Sequence, residues 1–215
     1  DYLLNQGKVN RVLVICPLSI MESAWRNDLF SFSMHLKVDV AYGSAKKRRE
    51  IIAGDADYVI INYDGVEIVQ DAVAEGGFDL IIVDEAHTCT KNLDHQKSSQ
   101  KQQRYELLEQ LAKKDGQHFV MLTATPHSGK DGEFQSLLGL LNPEFESYQL
   151  YDLTVSEKRK VAAHFIQRKR KNIEKWLDEE TPFPKRITEE LPYKLSKDYA
   201  ALYDKVIKFI SGMNI

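Results

Sequence analysis

Two cysteines in 215 residues, Cys16 and Cys89, are too few to staple a fold, and each falls inside or just after an apolar run. A disulfide-built secreted scaffold is excluded, and a reducing, cytoplasmic setting is expected. No apolar run approaches the roughly 18 residues that a membrane-spanning helix needs. The first ten residues, DYLLNQGKVN, lack the basic and then apolar segments of a signal peptide. They read as a chain cut open rather than a natural start. Net charge is also small, −3 at pH 7, and taken alone argues neither for nor against nucleic acid. Its distribution is uneven. Between residues 155 and 186 stand 10 Lys or Arg against 5 Asp or Glu, so basic charge gathers toward the C-terminal end.

What is present suits a soluble globular chain: 43% hydrophobic and 28% charged residues, long enough to bury roughly 70% of its unfolded surface. Five short apolar runs recur, RVLVIC (11–16), KVDVA (37–41), YVIIN (58–62), LIIV (80–83) and HFVML (118–122). They are rich in Val and Ile and mostly lack strict alternation, as parallel strands covered on both faces do. Helix-like stretches separate them. Ser19 and Glu22 make an S-x-x-E capping box ahead of a Met21, Trp25, Leu29, Phe32 stripe. Ser98 or Ser99 would cap a helix carrying Tyr105, Leu108 and Leu111, with Gly116 past its end, and Pro143 stops a stripe of Phe134, Leu137, Leu138 and Leu141.

Strands alternating with helices predict an α/β fold with a doubly wound, mainly parallel sheet over residues 1–150, because parallel strands need crossover connections. Residues 151–215 form a helical, basic extension. Thr154 and Glu157 open a long helix that includes Val161, Phe165, Ile166, Ile173 and Trp176, TPFPKR (181–186) is extended, and a last amphipathic helix carries Tyr199, Leu202, Tyr203, Val206, Phe209 and Ile210.

Ligands of such sheets bind beyond the carboxyl ends of the strands, which is where LIIVDEAH places Asp84, Glu85 and His87. An acidic pair there is what phosphoryl transfer to water requires: one carboxylate for magnesium, a second to orient or deprotonate the water. Acidic residues also end strands for no chemical reason. A metal hydrolase with Asp84, Glu85, His87 and His95 as ligands is a further reading, although H-E-x-x-H is absent. Cys89 has no motif that places a base beside it, so a buried or loop thiol is expected rather than a nucleophile.

VLVICPLSIMESAWRNDLFSF, VIINYDG, LIIVDEAH, and LTATP followed by EFQSLLGLLNP stand in that order, each at a predicted strand end. Together they resemble the Swi/Snf-related ATPases of helicase superfamily two, and FIQRKRKNI, FPKR and LPYKLSKDYAALYDKV resemble that family's passage between motor lobes. The resemblance implies a RecA-like lobe, ATP and magnesium as cofactors, and duplex DNA bound without regard to sequence. It also implies a second RecA-like lobe as partner.

On it, Asp84 would hold magnesium through water, Glu85 would activate the hydrolytic water, and His87 would link nucleotide state to Thr123, Ala124 and Thr125 of the TATP block. Pro17, Ser19, Asn62 and Tyr63 lie in loops matching those that face the nucleic-acid backbone in relatives, and Arg168 opens a matching basic block. Ser19 serves equally as a helix cap. The KKRR run at 46–49 reads as a solvated helix face in preference to a DNA contact.

One part of the pattern is missing. Motor ATPases cradle phosphate with G-x-x-x-x-G-K-[ST], yet Gly7-Lys8 is followed by Val9, and Gly129-Lys130 by Asp131 with Ala124 where the first glycine belongs. The expectation is a truncated first lobe, lacking the phosphate-loop strand and hydrolysing ATP negligibly alone. A non-catalytic α/β module binding nucleic acid or protein is the alternative. The TATPHSG version of the threonine block looks more like bacterial members.

Overall fold

All five Val- and Ile-rich runs form strands in the computed structural model, which describes residues 2–91, 100–114, 116–126, 131–173 and 187–212. The strands are β1 (Val12–Cys16), β2 (Val38–Val40), β3 (Tyr58–Asn62), β4 (Leu80–Val83) and β5 (His118–Met121). Every pairing is parallel, in the order β2-β3-β1-β4-β5. Successive side chains of a strand point to opposite faces, so β1 sends Leu13 and Ile15 into one core and Val12, Val14 and Cys16 into the other. Burying each such side chain is worth about 1.5–3 kcal/mol. Coverage on both faces is why the runs of β1, β3 and β4 do not alternate with polar residues.

The helices are α1 (Tyr2–Asn5), α2 (Asn27–Phe32), α3 (Ala45–Ile52), α4 (Tyr63–Ile68), α5 (Gln70–Glu75), α6 (Gln100–Ala112), α7 (Asp131–Leu141), α8 (Val155–His164), α9 (Arg170–Ile173) and α10 (Lys197–Gly212). Tyr105, Leu108 and Leu111 bury the inner face of α6, and Gly116 takes a positive φ beyond its end. The chain forms two compact units, Asp1–Ile166 and Gln167–Ile215. In the second, α10 buries none of its residues, and its six expected apolar positions are exposed.

Three local expectations are corrected. Ser19 does not cap a helix: it lies in a 3-10 turn, Leu18–Ile20, and a π-helix, Met21–Arg26, follows with no side-chain cap. Glu22 instead accepts from Arg26 Nη1 at 2.7 Å. The wider π turn changes the spacing, so Met21 is buried while Phe32 is 84% exposed.

The long basic helix stops at His164, where Phe165 turns extended and packs edge-on to Phe134 at 5.8 Å. Packing onto α7 outweighs the helical pattern there. At its start the Thr154–Glu157 box forms in both directions, at 3.3 and 2.7 Å. Third, Arg48 of the KKRR run is buried rather than solvated. Ser98, Ser99, Trp176 and TPFPKR lie outside the described residues.

Register sets up the site. Ile15 of β1 lies opposite both Ile61 and Val83, and Cys16 opposite Asn62. Asp84 therefore stands level with Cys16 and Asn62, and Pro17 and Tyr63 follow one residue on at the same edge of the sheet. β5 is an edge of the described sheet, and Val120 on it is 40% exposed.

Candidate active site

Asp84 is fixed from four directions. Its N–H continues the ladder to Ile15 O at 2.8 Å, and its carbonyl accepts from the Tyr63 hydroxyl. Of its carboxylate oxygens, Oδ1 accepts from the Glu85 N–H at 2.8 Å and Oδ2 from the Trp25 indole Nε1 at 2.8 Å. Hydrogen bonds to an ionised acceptor are the stronger kind. The indole arrives from the π-helix, a type of turn frequent at functional sites.

Glu85 follows with φ +54° and ψ 43°, the one described non-glycine residue at positive φ. An L-residue in this region carries roughly 1–2 kcal/mol of backbone strain. The next turn, Ala86–Thr88, is held by Ala86 N–H to Leu122 O at 3.0 Å and by the Thr88 hydroxyl to Glu85 O at 3.0 Å. This geometry brings the Glu85 carboxylate to 3.1 Å from His87 Nδ1.

His87 Nδ1 also lies 3.1 Å from Thr123 Oγ1, and Thr123 Oγ1 accepts from the Thr125 N–H at 3.2 Å. The ends of β4 and β5 are thus joined through one imidazole. Ala124 between the threonines is exposed.

The remaining sequence candidates fall into two groups. Pro17 is half-buried and Ser19 exposed, beside the site on the turn after β1. Asn62 and Tyr63 are buried, at 6% and 4% exposure. The Tyr63 hydroxyl serves Asp84, and burial pushes its pKa up. Arg168 belongs to the second unit, where it is exposed.

Burial pushes the Cys16 thiol up to about 12, with Asp84 adding to the effect. Burial also raises Cys89, so both thiols stay protonated at neutral pH, which suits a structural role. Among the described residues no group of three or more His, Cys, Asp and Glu could hold a metal ion by itself. His95 lies outside them.

Two residues of this region were not legible as site residues. Trp25 read only as part of an apolar stripe, although a buried indole N–H calls for an acceptor. Arg48 was hidden in a run of four cations, yet it stands four residues before Ile52 and so shares the inward face of α3.

The SNF2-related domain family matches residues 2–210. The chain belongs to that family. Among relatives of this SNF2-related chain, RNA polymerase-associated protein RapA of Pseudomonas syringae pv. tomato is 32% identical over 148 residues, 65% of this chain and 14% of RapA. An uncharacterised ATP-dependent helicase of Mycoplasma genitalium is 24% identical over 205 residues, 90% of this chain and 18% of that protein. The chain therefore spans less than a fifth of either relative.

In structure it is similar to the Sulfolobus solfataricus SWI2/SNF2 ATPase core in complex with dsDNA, at TM-score 0.53 and 22% identity over 75% of this chain and 33% of that chain. The shared fold is the RecA-like α/β lobe. No helix among the described residues of the SNF2-related chain is long and apolar enough to cross a membrane.

Proposed function

We propose that the chain is part of the first motor lobe of a nucleic-acid-dependent ATPase that couples ATP hydrolysis to movement along duplex DNA. The observation that carries the reading is the convergence of Asp84, Glu85, His87 and Thr123 at the carboxyl ends of β4 and β5. Family membership supports it.

In this reading Asp84 holds magnesium through water. The donor set fits: magnesium is bound by one or two carboxylates plus phosphate oxygens while keeping several waters, and Asp84, which among the described residues has no cage of further His, Cys, Asp or Glu ligands around it, answers that description. When bound, the ion supplies charge neutralisation to the phosphates. Glu85 orients and deprotonates the attacking water, held toward it by the left-handed backbone and the His87 contact. His87 and Thr123 carry the state of the site from β4 to β5. Pro17, Ser19 and Asn62 stand on the same carboxyl edge as candidate backbone contacts, and Arg168, exposed in the second unit, is a separate candidate for a phosphate contact.

A second reading, a binding module without catalysis, is favoured by one contact: the Trp25 indole already occupies Asp84 Oδ2. DNA-stimulated ATP hydrolysis by the full product of the gene separates the two. The motor reading expects stimulated turnover that Glu85→Gln lowers at least about a hundredfold, the scale of one general base. Equal turnover in the variant, or none in the wild type, leaves the binding module.

A further inference from the structure

Arg48 is 6% exposed, and its guanidinium is fully engaged on one side. Nε donates to Gly43 O at 3.0 Å, and Nη1 donates to Ala41 O at 2.6 Å and to Asn62 Oδ1 at 3.1 Å. Its Cζ lies over the Tyr42 ring, 5.5 Å from the ring centre. Gly65 makes the room: a β-carbon there would come within 2.2 Å of Arg48 Nη1 and 2.7 Å of Asn62 Oδ1.

An arginine has donors and no acceptor. Whatever atom of Asn62 faces Arg48 must be the oxygen, so the amide cannot flip, and its Nδ2 is left for a different acceptor. Asparagine at a helix N-cap normally turns its oxygen onto the first helical N–H groups. Asn62 stands at the N-cap of α4 and makes no such bond, because Arg48 has taken the oxygen. Among the described residues no acceptor meets Nδ2. Its position, level with Cys16 and beside the turn that carries Pro17 and Ser19, places a fixed neutral donor on the carboxyl edge of the sheet. A donor of that kind suits a phosphodiester oxygen, a contact that carries no sequence information.

We infer that Arg48 is a positioning residue: it holds the Asn62 carboxamide oxygen-inward, so that the amino group is presented to a nucleic-acid phosphate. The inference rests on the nucleic-acid reading above.

Two substitutions separate orientation from charge and from folding. Arg48→Lys keeps the charge but cannot hold three acceptors in one plane. Asn62→Asp keeps an acceptor for Arg48, removes the donor and adds one negative charge, whose general repulsion the salt series reads as a changed slope. Binding is read by fluorescence anisotropy on a labelled duplex of arbitrary sequence across a salt series, and folding by thermal unfolding. Arg48→Lys is expected to weaken binding roughly tenfold, the scale of one lost strong hydrogen bond, with the slope of log affinity against log salt unchanged. Asn62→Asp is expected to weaken binding at least as much while its Tm stays within about 2 °C of wild type.

Wild-type affinity in either folded variant overturns the inference. So does a slope that falls by about 0.9 in a charge-removing Arg48→Gln control, which would put Arg48 itself on a phosphate. If Arg48→Lys does not fold, Asn62→Asp decides alone. A wild-type chain that binds no duplex even at low salt removes the nucleic-acid reading and this inference together, whereas binding unaffected by the variants removes this inference only.

Discussion

The imidazole of His87 and the hydroxyl of Thr123 meet at 3.1 Å, joining the turn after β4 to the end of edge strand β5. Each residue also has a second partner, Glu85 for His87 and the Thr125 N–H for Thr123. Removing either member should therefore loosen the same link. His87→Ala and Thr123→Val are each expected to lower stability by about 1 kcal/mol, and the double variant by less than their sum. Urea unfolding of the four proteins reads the coupling. Strict additivity would show that the two strand ends are not joined through this contact.

Trp25→Phe keeps a ring in the half-buried site and removes the N–H that Asp84 Oδ2 accepts. A loss of about 1.5–3 kcal/mol is expected, the range for a hydrogen bond to a charged group. Trp25 and Trp176 are the two tryptophans of the chain, so in a Trp176→Phe background the emission of Trp25 reports this contact. Asp84→Asn should shift that emission. An unmoved spectrum would place the indole away from the carboxylate.

Alkali should unfold the protein partly through Cys16. Its thiol is pushed up to about 12 from the ordinary value of 9.0 by burial. The unfolded chain therefore ionises first. Stability is whole below about pH 9 and falls as pH rises toward 12, with a limiting slope of about 1.4 kcal/mol per pH unit for one group. Cys16→Ala should remove that share of the slope between pH 9 and 10.5 in denaturant titrations, although its midpoint at pH 7 will be lower because of the cavity. Parallel pH curves would assign the alkaline loss to other groups, such as Tyr105, also raised to about 12 by burial and its Glu146 contact.

Purified alone, this chain should hydrolyse ATP no faster than its Glu85→Gln variant, with or without duplex DNA. The sequence offers no G-x-x-x-x-G-K-[ST] to neutralise the phosphates. Phosphate release measured on the two proteins in parallel checks this. Turnover in the wild type above the variant would mean that other backbone groups cradle the triphosphate.

The sheet was legible because buried parallel strands leave a plain mark, runs such as LIIV with no polar residue in them. So was the Thr154 cap, since its partner Glu157 lies three residues away. Misreadings share a cause: the deciding partner was far along the chain. Ser19 and Glu22 have the spacing of a box, yet the indole three residues beyond Glu22 is bonded to Asp84, 59 positions on, within a π turn that local pattern does not announce. Phe165 leaves its helix for Phe134, and Arg48 leaves its basic run for Asn62. Local spacing could place Asp84, Glu85 and His87 at one strand end, but the contact of His87 with Thr123 needed the order of β4 and β5.

The left-handed backbone of Glu85 bears on how this protein can be engineered. A glycine or asparagine at that position would relax the main chain, so a screen that rewards heat resistance alone will favour exchanging the very carboxylate that faces His87. Thermotolerant variants selected without a readout of chemistry should accumulate changes at position 85 first. Any library meant to harden this lobe has to keep that codon fixed.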